Sequence, residues 1–515
     1  MSKEKDILKP LKSVGETFSL QDMLSFDTKD YIKMLQNKGE EFWIKEGEKK
    51  ALNLFKKAAK DVPAYKEFLK VHKIDPTKIK TIKDFKNIPI TTKENYISKY
   101  PLADRNWNGK LEHLNIFAVS SGTITKPTIW PRGSLQEFES AITHEALFNE
   151  LYEVDKHKTL IAIGFPMGVY ISGMATSIPS WLIGIKNPSL NILTIGNDKE
   201  KFLNIIPQLQ KEYEQILFIG HPFFIKDVIE TGKDRKIKWD KTKVKMMFCS
   251  EGFNETWRSY LAKQVKSDKK LDMFNTYGSS ELLLMGNETP KSVFIKQLAE
   301  KKNKIRESVF KSPSVPNIFQ YNPINRYIES VDNDLIFTAS SGIPLIRFRL
   351  HDNGQVISNN DMDDLLTKEC PEWKTEFKKI KSKSAWNLPF VTLYGRSNQA
   401  MIFYAANIYI ENINQALDHK PFLSKITGKF VMEKKYLKNM DQYLNIYIEL
   451  EESAEKDKKL AKDIQIKIVD TLKKVNLEYA DASEKLNKNL VPRIVLKPYQ
   501  DRTYFKLGLK PKYII

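Results

Sequence analysis

Five short peptides carry side chains that could handle a nucleotide. The first, Ser120-Ser121-Gly122-Thr123-Ile124-Thr125-Lys126-Pro127-Thr128, follows directly on the apolar run Ile116–Val119. Hydroxyls, a glycine and exposed backbone N–H groups at a strand end make a cradle for phosphate oxygens, and Lys126 adds positive charge. It is not a Walker loop, because the spacing G-x-x-x-x-G-K-[ST] occurs nowhere in the chain. An ordinary Ser/Thr-rich turn has the same composition, so by itself the peptide leaves both readings open. The second, Tyr277-Gly278-Ser279-Ser280-Glu281, joins an aromatic face that can stack on a purine to a carboxylate suited to Mg²⁺. The third is Leu345-Ile346-Arg347-Phe348-Arg349-Leu350-His351-Asp352, where an Asp closing a strand-like run can accept hydrogen bonds from ribose hydroxyls. The fourth and fifth are Gly395-Arg396-Ser397-Asn398 and Gly508-Leu509-Lys510-Pro511-Lys512. Singly, these two also read as a surface turn and a solvated basic tail.

The elements that must position these peptides follow from the texture of the chain. Helical periodicity rich in Lys and Glu dominates from about Asp30 to Lys73, and a turn-rich connector follows in which Thr91 or Thr92 can cap the next helix. From Asn115 onward short apolar runs (Ile116–Val119, Leu160–Ile163, Ile216–Ile219, Val244–Phe248) alternate with amphipathic helical segments. That alternation predicts an α/β sheet covered on both faces, with ligands gathering where strands end in loops. Lys-rich stretches at about Lys291–Asn317 and Lys368–Lys383 read as insertions or mobile surface segments. Beyond a hinge-like Tyr394–Asn398, strand-like Lys429–Met432 and Leu444–Leu450, a helix over Ala454–Val475 and strand-like Arg493–Leu496 predict a small α+β domain. The expected fold is therefore α/β: a large multi-layer N-terminal domain over 1–396 and a small, mobile α+β C-terminal domain over 397–515.

Bulk properties narrow the function. A chain of 515 residues with 41% hydrophobic and 11% aromatic content can bury more than one core. Lys and Arg number 83 against 64 Asp and Glu, which favours anionic partners such as nucleotides and cofactor phosphates. The lysines are scattered along helical stretches and no aromatic-basic module is present, so no specific nucleic-acid partner is expected. Cys249 and Cys370 are the only thiols, which implies a reducing, cytoplasmic compartment and neither a disulfide framework nor a zinc site. The charged N-terminus lacks the apolar core of a signal peptide. Thr159–Ile185 contains no charge and is long enough to span a bilayer, yet its Pro and Gly residues fit a buried strand, a turn and a core helix better. A carboxylate pocket is expected from the uncharged stretch Phe165–Met174, which includes Tyr170 and Gly173, from His221-Pro222-Phe223-Phe224, and from the surroundings of Thr276. Phe165, Tyr170, Phe223 and Phe224 suggest an aromatic or apolar acid, although the same rings could simply fill the core, and His221 could be a hydrogen-bonded turn residue.

In their order and spacing the five peptides resemble those of the adenylate-forming superfamily of acyl-CoA synthetases, nonribosomal-peptide adenylation domains and luciferases, and within it the phenylacetate–coenzyme A ligases. The resemblance covers nearly the whole chain, including Val62-Pro63-Ala64-Tyr65, Ile74-Asp75-Pro76 and Ile88-Pro89-Ile90-Thr91-Thr92-Lys93-Glu94-Asn95-Tyr96. It implies an enzyme that uses ATP and Mg²⁺ to convert a carboxylic acid to its acyl-AMP, then passes the acyl group to a thiol, with coenzyme A as co-substrate. It implies that Ser120, Ser121, Gly122, Thr123 and Lys126 hold the ATP phosphates and that Ser250, Glu251 and Gly252 form the adenine-contacting turn. Tyr277 would border the base, in the peptide that also holds Gly278 and Ser279. Ser280 and Glu281 would sit at the α-phosphate and Mg²⁺. Asp352 would hold the ribose with Arg396 nearby, Asn398 would lie at the hinge, and Lys510 would serve the first half-reaction. A homodimer is left open.

The chain departs from that pattern at Thr125, where a second loop glycine is usual, and at Asn398, where Asp or Lys is usual. It departs again at Tyr404-Ala405, where thioester-forming relatives carry Arg or Lys and then Gly. A methyl group at Ala405 would narrow the passage for a pantetheine arm. The acceptor is therefore open between coenzyme A and an amine, a carrier-protein thiol or a protein cysteine.

Overall fold

The computed structural model describes residues 7–120, 128–268, 271–311, 315–380, 386–396, 400–486, 490–505 and 513–515. The chain divides into two compact units, one formed by Met1–Ser120 with Ile129–Tyr394 and the other built on Gly395–Ile515.

The large unit is organised by an eleven-stranded mixed sheet. Its strands are β3 (Thr159–Gly164), β4 (Leu190–Thr194), β5 (Gln215–Gly220), β6 (Lys243–Phe248), β7 (Met273–Ser279), β8 (Leu283–Asn287), β9 (Asn317–Gln320), β10 (Tyr327–Val331), β11 (Asp334–Ser341), β12 (Ile343–Ile357) and β13 (Phe390–Arg396). A separate two-stranded sheet pairs β1 (Leu114–Ser120) with β2 (Thr128–Gly133). Order in the large sheet is β10-β11-β12-β13-β9-β8-β7-β6-β5-β3-β4. From β7 to β4 the strands run parallel, and β3 and β5 are buried along their whole length. Continuous apolar runs are what a strand covered on both faces requires. The chain leaves β3 outward to β4 and returns on the other side of β3 as β5, so the strand order reverses between β3 and β5. Their carboxyl ends form the crevice where sheets of this kind bind ligands.

Helices cover the faces for identifiable reasons. Glu40–Asp61 buries Trp43, Gly47, Lys50, Ala51, Leu54, Phe55 and Ala58, the three-to-four spacing of one helical face. Gly47 is required there, since a Cβ would stand 2.6 Å from the backbone of Pro323. The uncharged stretch resolves into β3, a turn, and the helix Ile171–Lys186 with Pro179 inside it. Among the described residues no helix is long and apolar enough to cross a membrane.

The Lys-rich stretch near Lys291 differs from its sequence reading. Pro290–Lys301 is a helix with Val293, Ile295 and Ala299 fully enclosed, and Lys291 and Lys296 are buried with partners while Lys301, at its end, is exposed. Lys291 donates to Asn359 and pairs with Asp363, and Lys296 donates to the Phe253 carbonyl. The stretch from Lys368 keeps Lys368, Lys374, Lys378 and Lys379 exposed and is anchored by Trp373 of the helix Trp373–Lys378, which joins a core with Phe294 and Leu298. Residues 381–385 lie outside the described residues.

In the small unit a hairpin joins β14 (Ala400–Phe403) to β15 (Ala406–Tyr409), and β16 (Ile426–Tyr436), β17 (Gln442–Leu450) and β18 (Arg493–Lys497) form a three-stranded sheet. β16 and β17 are antiparallel, β17 and β18 parallel. The helix Lys458–Val475 packs on β18 and on the helix Ile410–Leu417. The Asp457 carboxylate caps it, which places its start four residues after the expected Ala454. Tyr513 and Ile515 exchange backbone hydrogen bonds with Met432 of β16.

Candidate active site

The carboxyl ends of the parallel strands bring several of the expected residues together. β5 ends in Gly220 and hands over to His221, which precedes the helix Pro222–Asp234. β6 ends in Phe248 and turns through Ser250-Glu251-Gly252, with Ser250 in the left-handed region at φ 79°. His221 Nε2 and Glu251 Oε2 lie 3.2 Å apart, close enough to attract but not aligned as a hydrogen bond, and the Glu251 side chain is completely enclosed. Thr276 Oγ1 donates to the Phe248 carbonyl at 2.7 Å, tying β7 to the start of the turn. Burial pushes the neighbouring Cys249 thiol above its ordinary pKa, so it stays protonated and is no nucleophile at neutral pH.

β7 continues into Tyr277, Gly278, Ser279, Ser280 and Glu281. The Tyr277 ring stacks on Phe319 of β9 with centroids 5.6 Å apart, and its hydroxyl donates to Asp352 Oδ2 at 2.5 Å. Tyr277 is thus fixed by its neighbours, and Asp352, 4% exposed, is held in place by a phenol. His351, just before it, has φ 62°, a bend in β12 that turns the Asp352 peptide. At the tip of the β7–β8 connection Ser279 Oγ accepts from Leu282 N, and the Glu281 carbonyl accepts from Ser341 Oγ.

Lys93, to which the sequence assigned no role, meets the Glu281 carboxylate at 2.6 Å. Its placement is local chemistry. Thr91 is stitched to β12, donating from N to Arg347 O, from Oγ1 to Ile346 O and accepting from Arg349 N. Thr92, rather than Thr91, caps the turn Lys93–Ile97: its hydroxyl accepts from Glu94 N and Asn95 N while Asn95 Oδ1 accepts from Thr92 N. The signal was visible as Thr-Lys-Glu-Asn after an Ile-Pro-Ile connector. Its target, 188 positions away by residue numbers 93 and 281, was not.

The donor set can be tested for Mg²⁺. Among the described residues no three His, Cys, Asp or Glu cluster as a metal site. Mg²⁺ in nucleotide enzymes takes one or two carboxylates and completes its shell with phosphates and water. Glu281 suits that role, since its enclosed carboxylate already faces a cation, the Lys93 ammonium.

Other expected residues sit differently. Ser120 ends β1, and its buried hydroxyl accepts from the Trp130 indole at 3.1 Å. Phe165 and Phe223 are 3% and 1% exposed; Phe165 belongs to the core under the sheet and Phe223 packs edge-on against Trp257. Of the aromatic set, Tyr170 alone is partly exposed, at the bridge to Val119. Gly173 abuts the Pro166 carbonyl, where a Cβ would come to 2.3 Å. Ser121, Gly122, Thr123, Thr125, Lys126, Asn398 and Lys510, and the side chain of Arg396, lie outside the described residues. Ala405 occupies the hairpin turn between β14 and β15 with φ 68°, after Tyr404 at φ 48°. Both are left-handed, as a two-residue hairpin turn demands, and glycine or asparagine is more at home there.

No protein-family model matches the sequence, and no curated protein matches it. Solved structures do match. A 2-hydroxyisobutyryl-CoA ligase in complex with 2-HIB-AMP and CoA, in the thioesterification state, superposes with a TM-score of 0.62 at 12% identity, covering 94% of this chain and 91% of that one. The same ligase in the postadenylation state with 2-HIB-AMP gives 0.53 at 12% identity over the same shares. The chain has the fold of an adenylate-forming acyl-CoA ligase. In that fold the switch-point end of the parallel strands holds Ser250–Gly252 and Thr276–Glu281, with Asp352 brought to them by Tyr277.

Proposed function

We propose that the chain activates a carboxylic acid as its acyl-AMP, releasing pyrophosphate from ATP, and then transfers the acyl group to the thiol of coenzyme A, in the manner of the phenylacetate–coenzyme A ligases. The observation that carries this is the convergence of Tyr277, Asp352 and Glu281 beside the Ser250–Gly252 turn. An acid or aromatic pocket alone would not need a paired phenol and carboxylate next to an enclosed carboxylate that faces an ammonium.

In this reading an oxygen of the substrate carboxylate attacks the α-phosphorus of ATP, a P–O bond forms, and the bond to pyrophosphate breaks with its electron pair. Two anions must approach, so the work is charge compensation and alignment. Asp352, oriented by the Tyr277 hydroxyl, accepts from the ribose hydroxyls and sets the position of the α-phosphate. The backbone of Ser250–Gly252 borders the adenine. Lys93 contributes positive charge at Glu281, and Lys510 is proposed, on the family resemblance alone, as the lysine of the first half-reaction. Mg²⁺, when bound at Glu281, would neutralise phosphate charge. In the second half-reaction the acceptor thiol attacks the acyl carbon and AMP leaves.

A second reading keeps the adenylation and changes the acceptor to an amine, a carrier-protein thiol or a protein cysteine. Ala405 supports it, because a side chain occupies a left-handed turn position where relatives that form thioesters carry glycine. Incubating the protein with ATP, Mg²⁺, coenzyme A and a panel of aromatic and aliphatic acids decides between them. Acid-dependent AMP formation with an acyl-CoA detected by mass supports the first reading. Acid-dependent AMP formation that ignores coenzyme A but responds to an added amine overturns it in favour of the second.

A further inference from the structure

A buried ionic cluster lies directly beneath the Ser250–Gly252 turn. Arg258, completely enclosed, points Nε at both oxygens of Glu255 at 3.0 Å, Nη2 at both oxygens of Glu288 at 2.7 and 2.8 Å, and Nη1 at the Met273 carbonyl at 2.5 Å. Lys296, its side chain 3% exposed, lies 3.9 Å from Glu255 and 3.7 Å from Glu288. Two cations and two anions are therefore held away from the surface. Burial alone would push Glu255 up, but the charges of Arg258 and Lys296 outweigh it and hold the carboxyl below its ordinary value. Burying four charges is costly, and apolar residues of similar volume commonly serve stability as well or better. Stability alone therefore does not account for the cluster.

What the cluster touches does. Glu288 accepts from Asn275 N at 2.7 Å, and the Asn275 amide donates to the Glu251 carbonyl at 3.0 Å. Lys296 Nζ donates to the Phe253 carbonyl at 2.5 Å and to Asn317 Oδ1 at 3.1 Å. The Asn317 amide in turn sits under Gly252, so close that a Cβ at Gly252 would come within 2.1 Å of its nitrogen. The Phe253 ring is packed between Arg258 at 4.9 Å, Lys296 at 5.2 Å and Trp257 at 4.5 Å. The carbonyls on both sides of Gly252, and Gly252 itself, are thus fixed by groups that the ion pairs hold, while Ser250 is kept at a left-handed φ.

We propose that Lys296, Asn317 and the Arg258–Glu288 pair are positioning residues that set the height and tilt of the Ser250–Gly252 turn and so determine affinity for the base of ATP. The proposal rests on the adenylating reading of the same turn. Each acts through the turn backbone, at the Glu251 carbonyl, Gly252 or the Phe253 carbonyl. The expected signature is selective: ATP binding suffers and the acid site does not.

The test titrates ATP into the wild-type protein and into Asn317→Ala and Lys296→Met, reading the dissociation constant by calorimetry, with thermal melts to show that each is folded. Steady-state acid-dependent AMP formation is then measured on the same proteins. Asn317→Ala leaves all four charges in place, so it stays informative if Lys296→Met does not fold. The expected result is an ATP dissociation constant and KM raised about tenfold in Asn317→Ala, with kcat at saturating ATP and KM for the acid within about twofold. A folded Asn317→Ala that binds ATP as tightly as wild type overturns the positioning role and leaves the adenylating reading standing. A wild-type protein that binds no ATP overturns both.

Discussion

Tyr277 shows how one side chain can serve both the site and the fold. Its ring is stacked on Phe319 and its hydroxyl is spent on Asp352. Tyr277→Phe should keep the ring packing and remove the hydrogen bond to a carboxylate, a contact worth roughly 1.5–3 kcal/mol. KM for ATP is expected to rise about tenfold or more, with a loss of thermal stability of the size of that contact; an unchanged KM would show that Asp352 needs no orienting partner. A second residue-scale expectation concerns His144 on the helix Ser134–Tyr152. Burial pushes its pKa down to about 4, and Nδ1–H donates to the Ser140 carbonyl at 2.8 Å, which fixes the neutral tautomer. Between the ordinary value of 6.5 and about 4 the unfolded chain binds a proton that the folded chain refuses, so stability falls as pH drops through that window. His144→Leu should flatten the fall, seen as a difference between the two proteins in urea midpoints from pH 7 to 4.

At the scale of elements, β12 carries Asp352 and must pass very close to β13. A Cβ at Gly354 would meet the Thr392 carbonyl at 2.0 Å, and Thr392 Oγ1 accepts from Gln355 N at 3.0 Å. Gly354→Ala should force the strands apart and cost about 1–3 kcal/mol, the usual range for overpacking, measured by urea denaturation. The parallel strands were legible in the sequence because strands covered on both faces must be continuous apolar runs, as Leu160–Ile163 and Ile216–Ile219 are. The helix Pro290–Lys301 was not legible. Lys291 and Lys296 look solvated by composition, and only the fold supplies Phe253 O, Asn317, Asn359 and Asp363 as their partners. The same limit applies to Lys93, whose capped turn is a local signal but whose carboxylate partner is not. The aromatic residues of the expected acid pocket illustrate the converse. Phe165 and Phe223 read equally well as pocket or core, and both are buried, as either reading allows.

For the whole molecule, the strand order explains why Ser250–Gly252, Tyr277–Glu281 and Asp352, far apart in the chain, come together. The reversal between β3 and β5 opens a crevice, and β6 and β7 extend it with the Ser250–Gly252 turn and the Tyr277–Glu281 peptide. The excess of 83 basic over 64 acidic side chains suits substrates that carry phosphates. Adenylation in this crevice is read by exchange of labelled pyrophosphate into ATP, driven by single acids from an aromatic and aliphatic panel without coenzyme A. Exchange is expected to require an acid, to be lost in Asp352→Ala and to fall at least about a hundredfold in Glu281→Gln, as for loss of a main source of transition-state charge compensation. Exchange that is absent with every acid, or that survives undiminished in Asp352→Ala and Glu281→Gln, would contradict it.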